Sequence, residues 1–170
     1  MLTNNFHNAL RGALSMTAVA SGLRKTDGSA ANADGTINNA SVIFDFYKHT
    51  NIAANSKSKA GLVFGTGNTP PTIDDYWLSG DLITGTTIVA RNTNSHASEG
   101  KNIIEYVITV GNSNADTIVI NEFGLVGSLY VGYNQGTICM LDRVVLDAPL
   151  TLASGEQGVI TYTINVPIVQ

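Results

Sequence analysis

The residue types that most often carry catalysis or hold metal ions are few in this sequence and lie far apart. Its three histidines are His7, His49 and His96, and its one cysteine is Cys139. A transition-metal site needs several such ligands at close spacing, and a cysteine nucleophile needs a histidine and an orienting group nearby. The sequence therefore predicts no metal and no cofactor. It places the histidines at the surface and makes Cys139 a small buried hydrophobic residue.

The carboxylates also lack the arrangement of a hydrolase, which needs two of them facing each other across a cleft. Asp74 and Asp75 are adjacent, and neighbours on an extended chain point to opposite sides, so we expect them to cap turns instead. Residues 32–36 alternate oxygen-bearing side chains as calcium loops do, but they lack the glycine and the closing glutamate of an EF-hand. An Asx turn is favoured there, with calcium as the lesser alternative. No catalytic residue is predicted, and the chain is not expected to be an enzyme.

A glycine pair, Gly65 and Gly67, follows a predicted strand and resembles the start of a phosphate-binding loop. A dinucleotide-binding loop requires a third glycine and a helix behind it. Here Pro70 and Pro71 follow, and they are incompatible with that geometry. The pattern therefore predicts a turn that ends a strand.

Glu122 and Arg143 are charged residues inside otherwise apolar runs. The predicted strands that hold them are joined by a glycine-containing tip, which favours an antiparallel pair. A fold about Gly132 and Tyr133 places Glu122 nearly opposite Arg143, and the guanidinium fork suits a carboxylate. We therefore predict a structural ion pair, with no catalytic role, that fixes the register of this hairpin. The alternative is that each charge contacts a neighbouring subunit.

Aromatic side chains in the predicted loops form the second group of candidate site residues. Trp77, Tyr76, Tyr130 and Tyr133 offer flat rings that could stack on sugars or contact another protein. Packing in the core or at an interface is the favoured interpretation for Trp77. The two interpretations are nearly even for Tyr130 and Tyr133.

These candidates are positioned by elements that the pattern identifies as β-strands. Alternation is clearest in residues 101–110, where Ile104, Tyr106, Ile108 and Val110 share a face, and in residues 159–166, where Ile160, Tyr162, Ile164 and Val166 face inward. Other strands are predicted at 62–64, 86–90, 117–126 and 137–146. Polar loops are predicted at 68–76 and 92–100, and a flexible tip at 127–136. The fold expected is all-β: an antiparallel β-sandwich or jelly roll.

Residues 1–60 have a less regular pattern than residues 61–170, which are expected to form the β-sandwich domain. A short amphipathic helix is predicted near residues 4–15, a Gly- and Asn-rich loop at 25–39 and a first strand at 41–47. We interpret residues 1–60 as an extended N-terminal arm with that first strand. Residues 1–40 are expected to become ordered on partner subunits.

Charge is sparse and mildly negative. Charged residues make up 13% of the 170 residues, the formal net charge is −4, and the nine basic residues are scattered. Binding to nucleic acid needs a stripe of basic residues, so no nucleic acid is expected as a partner. No apolar stretch is long enough for a transmembrane helix, so no membrane contact is expected. Neutral polar surfaces suit packing against neighbouring subunits, because burying a charge costs much more than burying a paired hydroxyl.

Four segments of the sequence resemble small structural proteins of tailed-bacteriophage virions. The first is 62–78 (LVFGTGNTPPTIDDYWL), with a strand, a Gly-x-Gly turn, a Thr/Pro loop and Asp-Tyr-x-Leu. The others are 120–125 (INEFGL) with 140–146 (MLDRVVL), and 152–164. The resemblance covers about residues 60–168. It implies a capsid auxiliary protein of the decoration or head-fibre type, or a tail component, located in the virion. Its implied partners are other virion proteins and copies of itself. A receptor- or carbohydrate-binding β-sandwich is the alternative.

Overall fold

The structure, a computed structural model, describes residues 2–3, 5–7, 23–30, 53–130 and 136–167 and is nearly all β. The predicted all-β class is confirmed. Every paired neighbour is antiparallel. Seven strands are present in these residues: β1 Gly61–Gly65, β2 Leu82–Ile83, β3 Thr86–Ser98, β4 Lys101–Asn112, β5 Ile118–Tyr130, β6 Gly136–Leu152 and β7 Gln157–Pro167.

The strands form two sheets that pack face to face as a sandwich. One sheet has four strands in the order β2-β1-β5-β6, and the other has three in the order β3-β4-β7. Apolar side chains from both sheets meet in one buried cluster, which stabilises the fold by removing apolar area from water. The predicted inward faces of β4 and β7 are confirmed by the members of this cluster, which include Tyr106, Ile108, Val110, Ile160 and Tyr162.

A second apolar layer covers the opposite face of the four-stranded sheet. Its buried members include Val63 of β1, Val126 of β5 and Met140 of β6, and Leu78 packs on them from the loop between β1 and β2. Residues 66–81 form this loop, which we call the covering loop. Where both faces of the four-stranded sheet are covered, a charge on β5 or β6 becomes buried, as Glu122 and Arg143 are.

Parts of the first 60 residues lie along the edges of the four-stranded sheet. The backbone N–H of Thr3 donates to Leu141 O at 3.0 Å, and that of Thr26 donates to Ile138 O at 3.2 Å. Ala54 N donates to Leu62 O at 2.6 Å on the β1 side. These described residues therefore contribute to the fold of their own chain. Binding of residues 1–40 to partner subunits, and the boundary at residue 60, stay predictions.

Several predicted local elements differ from the structure or lie outside it. The predicted polar loop at 92–100 is wrong, because β3 continues to Ser98 and turns into β4 through Glu99 and Gly100. Its backbone pairs with β4 throughout, which supports a strand even where the side chains are polar and exposed. The predicted tip at 127–136 is shorter than expected, because β5 extends to Tyr130 and β6 begins at Gly136. Helical residues 5–7 fall within the predicted helix, whereas the predicted strand at 41–47 lies outside the described residues.

Candidate functional site

The structure brings Glu122 of β5 and Arg143 of β6 together under the covering loop. Arg143 Nε donates to Glu122 Oε2 at 2.6 Å, and the two residues are 0% and 1% exposed. Their offset is larger than predicted: Glu122 pairs across the strands with Val145, and Arg143 pairs with Gly124. A β-bulge between Leu125 and Val126, on the tip side of the two charges, shifts this register. The two side chains therefore meet as diagonal neighbours on one face of the sheet.

Arg143 uses its remaining donors on the covering loop. Its Nη1 donates to Asp75 Oδ2 at 2.7 Å, and its Nη2 donates to the backbone oxygen of Thr69 at 2.6 Å. Asp75 in turn accepts from the N–H and the hydroxyl of Thr72, each at 2.9 Å. The predicted capping by this aspartate is thus confirmed, whereas its ion pair with Arg143 has no local signal in the sequence.

Glu122 also binds both ends of the covering loop. The backbone N–H groups of Gly67, Ser79 and Gly80 donate to its carboxylate at 3.0, 3.1 and 2.8 Å, and the Ser79 hydroxyl donates at 3.2 Å. Each carboxylate oxygen therefore accepts at least two hydrogen bonds. The turn predicted at Gly65 and Gly67 therefore does more than end a strand, because the Gly67 N–H group binds the buried carboxylate of Glu122.

Close approach explains the two glycines of this contact. A Cβ at Gly67 would lie 2.0 Å from Ser79 Oγ and 2.3 Å from Glu122 Oε1. A Cβ at Gly80 would lie 2.2 Å from the backbone nitrogen of Gly67. Any larger residue would push the ends of the covering loop apart and away from the carboxylate. We call Glu122, Arg143 and Asp75, with the loop groups they bind, the clamp.

The clamp favours the charged form of each of its ionisable groups. Burial alone would raise the pKa of Glu122, but the N–H groups of Gly80 and Ser79 and the Arg143 guanidinium hold that pKa below its usual value. The pKa of Asp75 is lowered in the same way, against burial, by Thr72 and Arg143. Burial would lower the pKa of Arg143, but Asp75 and Glu122 raise it. A general base for neutral pH requires the opposite shift and a free lone pair, so this arrangement suits anchoring better than proton transfer.

A cleft of about 300 Å³ opens beside the clamp. Its walls include Trp77, Tyr76, Asp74 and Lys57, together with Asp75, Ser79 and Arg143. Trp77 is half-buried on the second apolar layer, and Lys57 Nζ lies 5.4 Å from its ring centroid. Tyr76 is exposed, and the guanidinium carbon of Arg24 lies 5.9 Å from its ring centroid. Tyr130 is the last residue of β5, and Tyr133 lies outside the described residues.

A buried polar pair that was not predicted from the sequence lies on the inner face of the sandwich. The Tyr162 hydroxyl donates to Asp142 Oδ2 at 2.5 Å, and the other oxygen of Asp142 accepts from the backbone N–H of Arg143 at 2.8 Å. Burial, together with the charge of Asp142, raises the pKa of Tyr162 well above its ordinary value. The pair borders a cleft of about 380 Å³ between β6 and β7. The neighbouring charges of Asp142 and Arg143 in an apolar run were the available signal.

The remaining candidate residues are dispersed. His7 and His96 are exposed, and His49 and residues 32–36 lie outside the described residues. Cys139 is buried, which raises the pKa of its thiol to about 12. In the described part of the chain, no three His, Cys, Asp or Glu side chains are grouped to hold a metal ion. Nor does this part contain a helix with the length and apolar character to cross a membrane.

Comparison with known proteins returned no match for this chain among protein-family models, curated proteins or solved structures.

Proposed function

We propose that this chain is a non-enzymatic structural subunit of a tailed-phage virion, most closely a capsid auxiliary protein of the decoration or head-fibre type. Its partners are other virion proteins and copies of itself, and a tail component is the nearest alternative. The low share of charged residues, 13%, supports the proposal. Contacts between subunits then bury few charged side chains, and burying a charge costs much more than burying a neutral polar group that finds a partner.

One observation carries the proposal: the stretches that resemble small virion proteins meet in the clamp. Residues 62–78 supply Gly67, Thr69 and Asp75, while 120–125 and 140–146 supply Glu122 and Arg143. The hydrogen bond between Tyr162 and Asp142 connects the last stretch, 152–164, to residues 140–146. The shared pattern therefore corresponds to a set of contacts that hold a loop on a sheet. Such a pattern is expected of a structural protein, whose function depends on shape.

The test is to locate the chain in purified particles of the phage that encodes it. We expect mass spectrometry to detect it in these particles and cryo-electron microscopy to assign it to repeated density on the capsid surface. Particles made without its gene should lack that density and regain it when the purified chain is added. Density on the tail would select the tail alternative, and absence from the particles would contradict the proposal.

A carbohydrate-binding module is the second candidate function, and the cleft beside Trp77 favours it. Aromatic rings stack on sugar faces, and the carboxylate of Asp74 and the ammonium group of Lys57 can bond to hydroxyls at the rim. Because Trp77 is the single tryptophan, its fluorescence would report a saccharide in the cleft directly. Neutral oligosaccharides should then change the emission and bind more weakly to Trp77→Leu. Unchanged emission at millimolar sugar would remove this candidate.

A further inference from the structure

The outward surface of the three-stranded sheet is left uncovered by the described residues. Tyr106, Ile108 and Val110 of β4 point into the core, so the alternate residues Ile103, Val107 and Thr109 point out. Their cross-strand neighbours on β3 and β7 point the same way. We call this surface the outer face.

Exposed valines mark one end of the outer face. Val159 of β7 is paired with Thr109 and is 58% exposed. Val89, at the bulge in β3, is 50% exposed, and its Cγ2 would lie 3.1 Å from a Cβ at Gly111 on the same face. The rest of the outer face mixes apolar residues such as Ile103 and Val107 with polar ones. Most of these polar residues are uncharged amides and threonines.

Charge makes the outer face suited to a second copy of this chain. Among its described side chains, only Lys101 and Glu105 are charged, and their charges cancel. The net charge of −4 is therefore carried by other parts of the molecule. Two identical copies repel each other wherever that negative charge is brought together. The outer face lets them meet without a like-charge contact.

The size of the outer face approaches what a reversible pair of copies requires. Three strands about 4.8 Å apart and about 12 residues long cover roughly 550 Å² of flat face, or about 1,100 Å² for two copies. This is close to the lower end of stable interfaces, about 1,200 Å² in total. A two-fold axis near Val107 would place the Val159 end of one copy over the Ile103 end of the other.

We propose that the outer face is the contact between two copies of this chain. The inference rests on the proposed role as a subunit of an assembly and names one of its contacts. Sheet-on-sheet packing of this kind buries β-branched side chains at a spacing of about 10 Å between sheets.

Sedimentation velocity of the full chain over a range of concentrations tests the proposal. The wild type should change reversibly from monomer to dimer, and Val159→Lys should raise the dimer dissociation constant at least tenfold. Val119→Lys is the matched control, because Val119 is also an exposed strand valine, 42% exposed, but belongs to β5 of the other sheet. It should dimerise as the wild type does. Melting temperatures of both variants check that they fold.

Each other outcome overturns the proposal. A wild type that stays monomeric up to millimolar concentration would show that the outer face does not pair. A large fall in melting temperature for Val159→Lys alone would assign the face to a segment of its own chain. Equal dimerisation of both variants would place the contact elsewhere. These results are independent of the particle experiment. If the chain is found in virions but stays monomeric in solution, only the pairing is contradicted. If it dimerises but is absent from virions, only the virion role is contradicted.

Discussion

Arg143 divides its three donor nitrogens among acceptors on different parts of the chain. Nε binds Glu122 on the neighbouring strand, Nη1 binds Asp75 and Nη2 binds the Thr69 carbonyl, the last two being on the covering loop. A lysine could not reproduce this, because its single nitrogen is a compact point charge without the planar fork. Burial of one cation with two anions is tolerable since every group has partners, and it becomes costly once a partner is removed.

Replacement of Arg143 by methionine should destabilise the protein by about 3–5 kcal/mol, because it leaves the buried Glu122 carboxylate without its cation. Urea denaturation at neutral pH measures this change. Arg24→Met is the control, since Arg24 is exposed beside Tyr76, and it should cost less than about 1 kcal/mol. An equal effect of the two substitutions would mean that the clamp contributes little to stability.

Stability should depend on pH through Glu122 and Asp75. Both pKa values are lowered from their ordinary 4.5 and 3.8, so the stabilisation is complete above the ordinary values and is lost as pH falls through the lowered ones. We expect a flat free energy of unfolding from about pH 7 to about pH 5 and a decline below about pH 4.

The Glu122→Gln variant should be less stable at neutral pH and should show a shallower acid decline. Urea denaturation at a series of pH values measures both effects. Glu99→Gln, at the exposed turn between β3 and β4, should keep the wild-type profile. A wild-type acid decline that survives unchanged in Glu122→Gln would assign the pH dependence to other groups.

At the scale of elements, the covering loop is fixed to the sheet mainly by polar contacts at its ends and middle. Gly67 and Gly80 bring the two ends within hydrogen-bond distance of Glu122, and Asp75 links the middle to Arg143. Leu78 adds apolar contact with the second layer. The loop is therefore part of the fold, despite having no regular structure along most of its length.

Gly80→Ala should detach one end of the covering loop, because its Cβ would meet the backbone of Gly67. We expect a loss of about 1–3 kcal/mol or more, as in other overpacked sites. Gly100→Ala is the comparison: its φ of 72° is strained, but its Cβ would meet nothing within 4 Å, so about 1 kcal/mol is expected. Unfolding followed by Trp77 fluorescence measures both, and a Gly80→Ala loss no larger than that of Gly100→Ala would contradict the close-approach argument.

The sequence could predict the elements whose pattern is set locally and the contacts between neighbouring strands. Strands β4 and β7 were recognisable because each buries one face, and the Glu122–Arg143 contact was expected because both charges interrupt apolar runs. The length of strand β3 was underestimated, because the strand is stabilised by pairing with β4 and not by burial of its side chains. The contact of Asp75 with Arg143 spans 68 residues and depends on the path of the covering loop, which no local pattern specifies.

At the scale of the whole molecule, the two sheets differ in how their outward surfaces and edges are covered. The four-stranded sheet has the covering loop on its outward side, and Thr3 and Thr26 bond to the free edge of β6. The Asn5 side chain also donates to Met140 O on this edge at 3.1 Å. Unpaired edges are templates for unwanted pairing between chains, so these N-terminal residues protect the sheet. No described residue covers the outer face of the three-stranded sheet in this way.

Removal of residues 1–7 should expose the β6 edge at Met140 and Leu141. We expect lower stability and faster aggregation on heating, because edge carbonyls lose their donors and become available to other chains. Light scattering during a thermal ramp measures the aggregation. Removal of the last three residues, 168–170, is the comparison at the other end of the chain. If both truncations behave like the full chain, residues 1–7 do not protect the edge.

The turn between β3 and β4 offers a position at which foreign peptide could be inserted. Glu99 and Gly100 form this turn, residues 92–102 around it are exposed, and open space surrounds the Cβ position of Gly100. A graft between these two residues would lengthen a loop, which costs little entropy for each added residue, and would leave the core contacts in place. In a multi-copy assembly every subunit would then carry one graft, so the chain would serve as a scaffold for repetitive antigen display.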